Sequence, residues 1–180
     1  GELPRDADTI LDGAVNYFFT AHDVLTSSTA WCLYLLARHG DVRRRLAAEL
    51  ASLPKGALSK AELDGCVYLD RVIRESLRLF PGYSLFGRTT QQDMVIGGYE
   101  VKKGAMLIVS PFVIHRLARN WDRPAVFDPE RWEQRSQAPL GPSARDQYMP
   151  FGSGARGCLA SHLAVPIMKT IVAQVARAWD

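Results

Sequence analysis

The feature that most constrains the fold of this chain is a proline-free stretch from Ala7 to Arg38. Apolar and small residues recur along it at near helical spacing, which predicts one very long helix. Such a helix is roughly 45 Å long, whereas a compact domain of 180 residues is only about 41 Å across. Because the segment from Trp31 to Leu36 is apolar on every side, it needs packing partners all round. We therefore expect residues 1–180 to be a single partial domain of a larger body whose N-terminal half is absent.

Shorter helices and a small sheet are predicted for the rest of the chain. Helices are expected where apolar residues recur at helical spacing or a capping box begins a helix: 41–50, from the box at 59–62, and 68–80. Strands are expected around a two-residue glycine turn and shortly after it: 94–96, 99–101 and 106–109. A last helix is expected to begin at Cys158 and to contain Pro166. The expected fold class is mainly α with a small β-sheet.

Composition and charge exclude several classes of function. The net charge of +3 is too small and too dispersed for nucleic acid to be the main partner. Three widely spaced cysteines, Cys32, Cys66 and Cys158, make no disulfide framework, which favours a reducing and therefore cytoplasmic compartment. No signal peptide opens the sequence, and no run of about 18 apolar residues indicates a membrane span. Membrane contact is expected only if the absent N-terminal half supplies an anchor.

The loop from Phe151 to Cys158 carries the most specific chemistry in the sequence. Its glycines at 152, 154 and 157 allow the backbone to fold tightly enough to aim N–H groups at the Cys158 sulfur. The helix expected to follow adds the positive end of its dipole, and both features favour a thiolate over a thiol. A thiolate ligand pushes electron density onto haem iron and favours O–O bond cleavage. The alternative to a role as an iron ligand is that the loop is a glycine-rich turn before a helix and that Cys158 is a buried structural residue.

This loop resembles the haem-binding signature of the cytochrome P450 family, Phe-x-x-Gly-x-Arg-x-Cys, and matches all its fixed positions. Two further motifs follow the order and spacing of the family. Glu75-Ser76-Leu77-Arg78 resembles its Glu-x-x-Arg helix, and Asp128-Pro129-Glu130-Arg131-Trp132 resembles its Pro-Glu-Arg segment. Taken alone, an i,i+3 Glu/Arg pair is an ordinary surface ion pair worth roughly 0.2–0.5 kcal/mol. The resemblance implies instead a buried structural network of Glu75, Arg78 and Arg131 within the C-terminal part of the cytochrome P450 fold.

The cofactor implied by the resemblance is haem b, iron protoporphyrin IX, with Cys158 as the thiolate ligand of the metal. The cofactor-binding residues it implies are Arg88, His115, Phe151, Gly152, Arg156 and Cys158. Arg88 and Arg156 match family positions that pair with haem propionates, and guanidinium groups suit carboxylate oxygens. His115 matches another recurrent position near the propionates, and a histidine satisfied by backbone groups is the alternative.

The long helix resembles the oxygen-binding helix of the family but departs from its signature, Ala-Gly-x-Asp/Glu-Thr-Thr. The acid is Asp23, and Val24 replaces the threonine that normally follows it. Since valine has no hydrogen-bond donor in its side chain, the proton-delivering hydroxyl is missing. One hypothesis is that Thr26, three residues beyond Asp23, or a substrate hydroxyl replaces it, which makes Asp23 and Thr26 the candidate catalytic residues. The other hypothesis is a peroxide-dependent or rearrangement reaction at the same iron, and a tolerated substitution at Val24 is the remaining interpretation.

The function implied by the resemblance is that of a haem-thiolate monooxygenase, an oxidoreductase. The partners it implies are a lipophilic small-molecule substrate, dioxygen, and a separate ferredoxin or flavoprotein reductase. Arg43 to Arg45 is a candidate docking face for that reductase or an ordinary solvated helix surface. The alternatives are a haem-binding protein without normal turnover, such as a sensor or truncated remnant, and a zinc site on Cys158 and His162. The zinc site needs two more ligands, and neither Cys32 nor Cys66 has a suitable spacing.

Overall fold

The computed structural model describes residues 6–133 and 147–178. The helices are α1 (Ala7–Arg38), α2 (Gly40–Ala51), α3 (Lys60–Gly65), α4 (Val67–Leu79), α5 (Pro111–Ile114) and α6 (Ser161–Ala178). The strands are β1 (Phe86–Thr89), β2 (Met94–Ile96), β3 (Tyr99–Val101) and β4 (Met106–Val109), and a 3-10 turn spans Gly154–Arg156. The predicted class, mainly α with a small β component, is confirmed. The β component consists of two antiparallel pairs, β1 with β4 and β2 with β3.

Local sequence signals account for most of these boundaries. The Ser59 side chain accepts from the Glu62 N–H, and Glu62 accepts from the Ser59 N–H, which is the predicted capping box at the start of α3. Glycines 97 and 98, with φ angles of 58° and 88°, form the turn between β2 and β3. Strand β1 is not predicted by the sequence pattern, since its four residues include a glycine and an arginine among few apolar side chains.

The last helix begins later than predicted. Helix α6 starts at Ser161 rather than at Cys158, although it does contain Pro166. The N–H of Cys158 bonds to the Phe151 carbonyl, which keeps this residue in the preceding loop. The first helical acceptor is the Ala160 carbonyl, which receives the N–H groups of residues 163 and 164. The loop therefore ends three residues before the helix begins.

The chain forms two compact units, one of residues 1–73 with 160–180 and the other of residues 74–159. In the first unit α1, α2 and α3 pack on α6. Its core is made of aliphatic side chains from these helices and the start of α4, among them Leu36, Leu46, Leu50, Leu69, Ile73, Met168 and Val172. Glu49 of α2 caps α4, because its two carboxylate oxygens accept the N–H groups of Tyr68 and Leu69 at 2.7 and 2.9 Å.

Helix α1 has the predicted bounds, and the residue before it, Asp6, caps it with a side chain that accepts the Thr9 N–H at 2.8 Å. Its residues are almost all exposed as far as Asp23. In the segment from Trp31 to Leu36, the described chain packs one side only: Cys32, Leu35 and Leu36 are buried, whereas Trp31 and Tyr34 are exposed. Packing all round this segment, as the sequence requires, is therefore not provided by the described residues.

Candidate functional site

The cysteine loop, Phe151 to Cys158, is folded by hydrogen bonds within its own backbone. Cys158 donates its N–H to the Phe151 carbonyl at 2.8 Å, and Gly157 donates to the Gly154 carbonyl at 3.0 Å. Gly152 and Gly154 have φ angles of 72° and 70°, in the left-handed region that costs other residues about 1–2 kcal/mol. A side chain at Gly157 would place its Cβ 3.3 Å from the Gly154 oxygen. This loop shape therefore needs glycine at all three positions.

The side chain of Cys158 differs in its surroundings from the other two cysteines. Cys158 is exposed, whereas Cys32 and Cys66 are buried, and none of these three described residues forms a disulfide. Burial raises the pKa of the Cys66 thiol, whose Sγ donates to the Glu62 carbonyl at 3.2 Å. A buried structural role for Cys158, the alternative interpretation of the loop, is contradicted by its exposure. Of the three sulfur atoms, that of Cys158 is open to an incoming group.

His115 lies between α4 and the segment that precedes the cysteine loop. Its ring is fully buried. Nε2 lies 2.9 Å from the backbone nitrogen of Met149, and Nδ1 lies 3.1 Å from the carbonyl oxygen of Arg78. Because the first group only donates and the second only accepts, the neutral ring carries its proton on Nδ1. Burial, followed by the charges of Arg78 and Arg116, lowers the pKa of His115 to about 4. Both ring nitrogens are thus satisfied by backbone groups, as in the second of the two roles predicted for this residue.

Glu75 is the centre of a buried charge network. Its side chain has no exposed surface, and its two carboxylate oxygens accept five hydrogen bonds from four residues. Oε1 accepts from Arg78 Nη2, the Asp128 N–H and Arg131 Nε at 2.8–3.0 Å. Oε2 accepts from Arg78 Nε and from the indole Nε1 of Trp132 at 2.9 and 3.0 Å. One negative charge is therefore shared by two guanidinium groups, as the resemblance implied.

The two arginines use their remaining donors on backbone carbonyls. Arg78 Nη1 donates to the His115 and Pro124 carbonyls at 2.8 and 2.7 Å. Arg131 Nη1 donates to the Asp122 carbonyl at 2.7 Å. These bonds hold the irregular segment after α5 on the C-terminal half of α4.

An aromatic cluster beside this network was not predicted from the sequence. The Trp132 ring lies 4.7 Å from the Tyr148 ring and 5.6 Å from the Trp121 ring, and the Tyr148 and His115 rings are 5.3 Å apart. The Tyr148 hydroxyl donates to the Arg74 carbonyl at 3.1 Å. The sequence signal that could have predicted this cluster is the presence of three aromatic residues around the Pro-Glu-Arg segment and just before the cysteine loop. Their function is to pack the segment that leads into the loop.

The two candidate propionate arginines are both exposed. Arg88 lies on β1, where its guanidinium group stacks 4.9 Å from the Phe86 ring centre and donates to the Gly87 carbonyl at 2.8 Å. Arg156 lies in the 3-10 turn of the cysteine loop. Their charges are therefore available to an anionic group.

Comparison with known proteins decides which family has this combination of loop and network. The cytochrome P450 family model matches residues 6–180. The chain belongs to the cytochrome P450 family. Cytochrome P450 4V2 of Mus musculus is 35% identical over 164 residues, which cover 89% of this chain and 31% of that protein. Cytochrome P450 3A13 of Mus musculus is 33% identical over 168 residues, covering 92% of this chain and 33% of that protein. Thromboxane-A synthase of Mus musculus is 32% identical over 176 residues, covering 96% of this chain and 32% of that protein.

The chain thus spans about a third of the length of the cytochrome P450 relatives it matches. The cytochrome P450 family is a haem monooxygenase-type family. Within the described ranges, no group of three or more His, Cys, Asp or Glu side chains is placed to hold a metal ion. Haem iron needs only one such side chain because the porphyrin supplies four ligands, whereas the zinc alternative needs four.

The two candidate catalytic residues lie on the long helix of this cytochrome P450 chain. Asp23 and Thr26 are both exposed. The Asp23 carboxylate lies 3.2 Å from Nδ1 of His22, which is itself exposed and stacked on Phe18. Val24 is half-buried. The structure therefore gives Asp23 a neighbouring imidazole, which is a contact that the predicted pair of Asp23 and Thr26 does not include.

Membrane contact was predicted only through an absent segment. Among the helices of the described residues, none has the length and apolar character needed to cross a bilayer. The cytoplasmic location inferred from the cysteine content stays a prediction.

Proposed function

We propose that the protein containing this chain is a haem-thiolate monooxygenase that inserts one oxygen atom from dioxygen into a lipophilic small molecule. The observation that carries this proposal is the exposed, free sulfur of Cys158 at the end of a loop shaped by three glycines. Family membership supports the same chemistry. In this proposal electrons come from a separate ferredoxin or flavoprotein reductase, as the resemblance to the family implies.

The residues of the described chain fit haem b. The exposed Cys158 would supply the thiolate ligand of the iron, and the exposed guanidinium groups of Arg88 and Arg156 would pair with the propionates. When bound, the haem would supply the iron at which dioxygen is reduced. Phe151 and Gly152 shape the loop that holds Cys158, Phe151 through its carbonyl bond to Cys158 and Gly152 through its left-handed backbone.

The contribution of His115 differs from that of the arginines. Since both of its ring nitrogens bond to backbone groups, neither is left for a propionate. The geometry therefore supports a role for His115 behind the loop rather than on the cofactor.

Asp23 and Thr26 are proposed to donate protons in the reduction of dioxygen. Asp23 is exposed and has the His22 imidazole beside it, so a proton can reach the carboxylate from solvent. Thr26 lies three residues further along α1, and its hydroxyl replaces the donor that Val24 lacks.

Carbon monoxide binding to the reduced full-length protein tests the ligand assignment. The wild type and the matched variant Cys66→Ala should show a Soret band of the thiolate type, whereas Cys158→Ala should lose it because its side chain has no sulfur. A thiolate-type band that persists in Cys158→Ala overturns the assignment of the ligand. Absence of haem from the wild-type protein overturns the function as a whole.

A second candidate function, a peroxide-dependent or rearrangement reaction at the same iron, is favoured by one observation, the valine at position 24. The ratio of product formed to reduced nicotinamide consumed separates the two, with a substrate that has no hydroxyl group. Under the first proposal the ratio is near one and falls in Thr26→Val. A ratio near one that survives Thr26→Val removes Thr26 from the mechanism, and product formed without any nicotinamide consumption supports the second candidate.

A further inference from the structure

A continuous series of hydrogen bonds connects the end of α4 to the cysteine loop through the ring of His115. The Arg78 carbonyl accepts from Nδ1, and Nε2 accepts from the Met149 N–H. The Met149 carbonyl then accepts the Gly152 N–H at 3.0 Å, directly inside the loop. The two partners of the ring lie 37 and 34 residues away from it in sequence, so the ring joins three separate parts of the second unit.

The carbonyl of Arg78 is available because of its place in the helix. Helix α4 ends at Leu79, and the last carbonyls of a helix have no partner within it. The Ser76 carbonyl is satisfied by the Phe80 N–H at 2.7 Å. The buried Arg78 carbonyl takes the imidazole N–H instead, which makes the histidine a cap for the helix as well as an acceptor for the loop.

A second contact with α4 is made by Tyr148, the residue before Met149. The Tyr148 hydroxyl donates to the Arg74 carbonyl, one helical turn before Arg78 on the same face of α4. The Tyr148 ring packs on the rings of His115 and Trp132. Consecutive residues before the loop are therefore held on α4 at two points, one direct and one through His115.

We propose that His115 is a positioning residue that sets where the cysteine loop begins relative to the Glu75 and Arg78 network, and with it the position of the Cys158 sulfur. The consequence for the haem ligand rests on the proposed function. The hydrogen bond between the His115 ring and the Met149 amide does not depend on it, because that bond involves this chain alone.

Replacing His115 with an amide residue can separate the two hydrogen bonds of the ring, because asparagine keeps one of them and glutamine keeps the other. In His115→Asn the amide reaches the position of Nδ1 and still donates to the Arg78 carbonyl, but it is too short to reach Met149. In His115→Gln the side-chain oxygen reaches the position of Nε2 and still accepts from Met149. Both variants lose the ring and its packing on Tyr148, and each keeps one of its two hydrogen bonds, so faster exchange at the loop in His115→Asn alone assigns the effect to the bond with Met149.

Hydrogen exchange in residues 147–152 of the full-length protein measures this difference without reference to the cofactor. We expect exchange about fivefold to tenfold faster than wild type in His115→Asn and within about twofold of wild type in His115→Gln, since only the first variant loses the buried hydrogen bond to the Met149 N–H. The thiolate-type Soret band of the reduced carbon monoxide complex should be reduced in His115→Asn and retained in His115→Gln. Equal exchange in the two variants overturns the proposal.

A second variant keeps the test decisive if His115→Asn does not fold. Tyr148→Phe keeps both hydrogen bonds of the His115 ring and removes only the hydroxyl bond to Arg74, so the Met149 amide should exchange within about twofold of wild type. Loss of protection at Met149 in this variant overturns the assignment of its position to His115. Failure of the proposed function has a different signature. In that case Cys158→Ala leaves the spectrum of the protein unchanged, while the contrast in exchange between the two His115 variants persists.

Discussion

Replacing Glu75 with glutamine tests whether the buried network holds the second unit together. The carboxylate accepts five hydrogen bonds, three at Oε1 and two at Oε2, from donors that include Arg78, Arg131 and the Trp132 indole. A glutamine side chain keeps one oxygen and turns an NH2 group toward the other set of donors. At best, it leaves the two donors of the Oε2 site, Arg78 Nε and Trp132 Nε1, without an acceptor.

Two estimates of the cost agree. Two buried donors left unsatisfied cost about 1–3 kcal/mol each, and the loss of one partner of a buried ion pair costs about 3–5 kcal/mol. We therefore expect Glu75→Gln to lower the free energy of unfolding by about 3–5 kcal/mol, which raises the unfolded fraction roughly a hundredfold to several thousandfold. Most domains have only about 5–15 kcal/mol in total, so little stability would remain.

Urea-induced unfolding of the full-length protein, followed by tryptophan fluorescence, provides the measurement. The matched control is Glu100→Gln on β3, which makes the same chemical change at a side chain that is 83% exposed. That variant should unfold at the same urea concentration as the wild type. A loss of less than about 1 kcal/mol in Glu75→Gln would refute the reasoning, because it would mean that the guanidinium groups find other partners or water.

Two further predictions concern the loop and the residue behind it. The pKa of His115 is about 4 in the folded protein and 6.5 in the unfolded chain, so the unfolded state binds more protons between these values. The contribution of His115 to the free energy of unfolding is therefore fully present above pH 6.5. It falls by about 3 kcal/mol as the pH drops to about 4, at roughly 1.4 kcal/mol per pH unit. In His115→Gln, the free energy of unfolding measured across this range should lose this pH dependence. At the loop, Gly152→Ala should cost about 1–2 kcal/mol through its left-handed backbone and weaken haem retention, while its Cβ would lie 3.8 Å from the Gly157 Cα, an ordinary contact. An unchanged melting temperature and haem content in Gly152→Ala would show that the loop has another accessible shape.

Much of the fold follows from short-range patterns in the sequence. Helix α1 has the predicted bounds because neither proline nor a glycine pair interrupts it and Asp6 caps it. The capping box of α3 and the glycine turn between β2 and β3 are local as well. The start of α6 was misplaced because the first carbonyl that accepts helical N–H groups is that of Ala160, a boundary that helical periodicity does not report.

The network around Glu75 shows where local patterns are insufficient. By spacing alone, Glu75 and Arg78 are an ordinary exposed pair, and only the family resemblance indicates burial. Arg131 and Trp132 reach Glu75 from 56 and 57 residues away, so the folded chain rather than the helix determines their effect. The role of His115 likewise depends on a bond to Met149, 34 residues away, and no motif in the sequence signals that bond.

In the second unit, the fully buried polar residues are different residues from those proposed to bind the cofactor. The polar groups that carry the largest energetic cost, Glu75, Arg78 and His115, are fully buried and bond only to protein. The residues proposed to meet the cofactor, Cys158 and Arg156, are exposed. Substitutions in the first group should therefore lose haem together with folding free energy, whereas Cys158→Ala should lose the ligand while leaving the free energy of unfolding of the haem-free protein nearly unchanged. Under the proposed role of His115, the position of the Cys158 sulfur depends on buried groups outside the cysteine loop, so the sequence around Cys158 alone does not determine whether the site is stable.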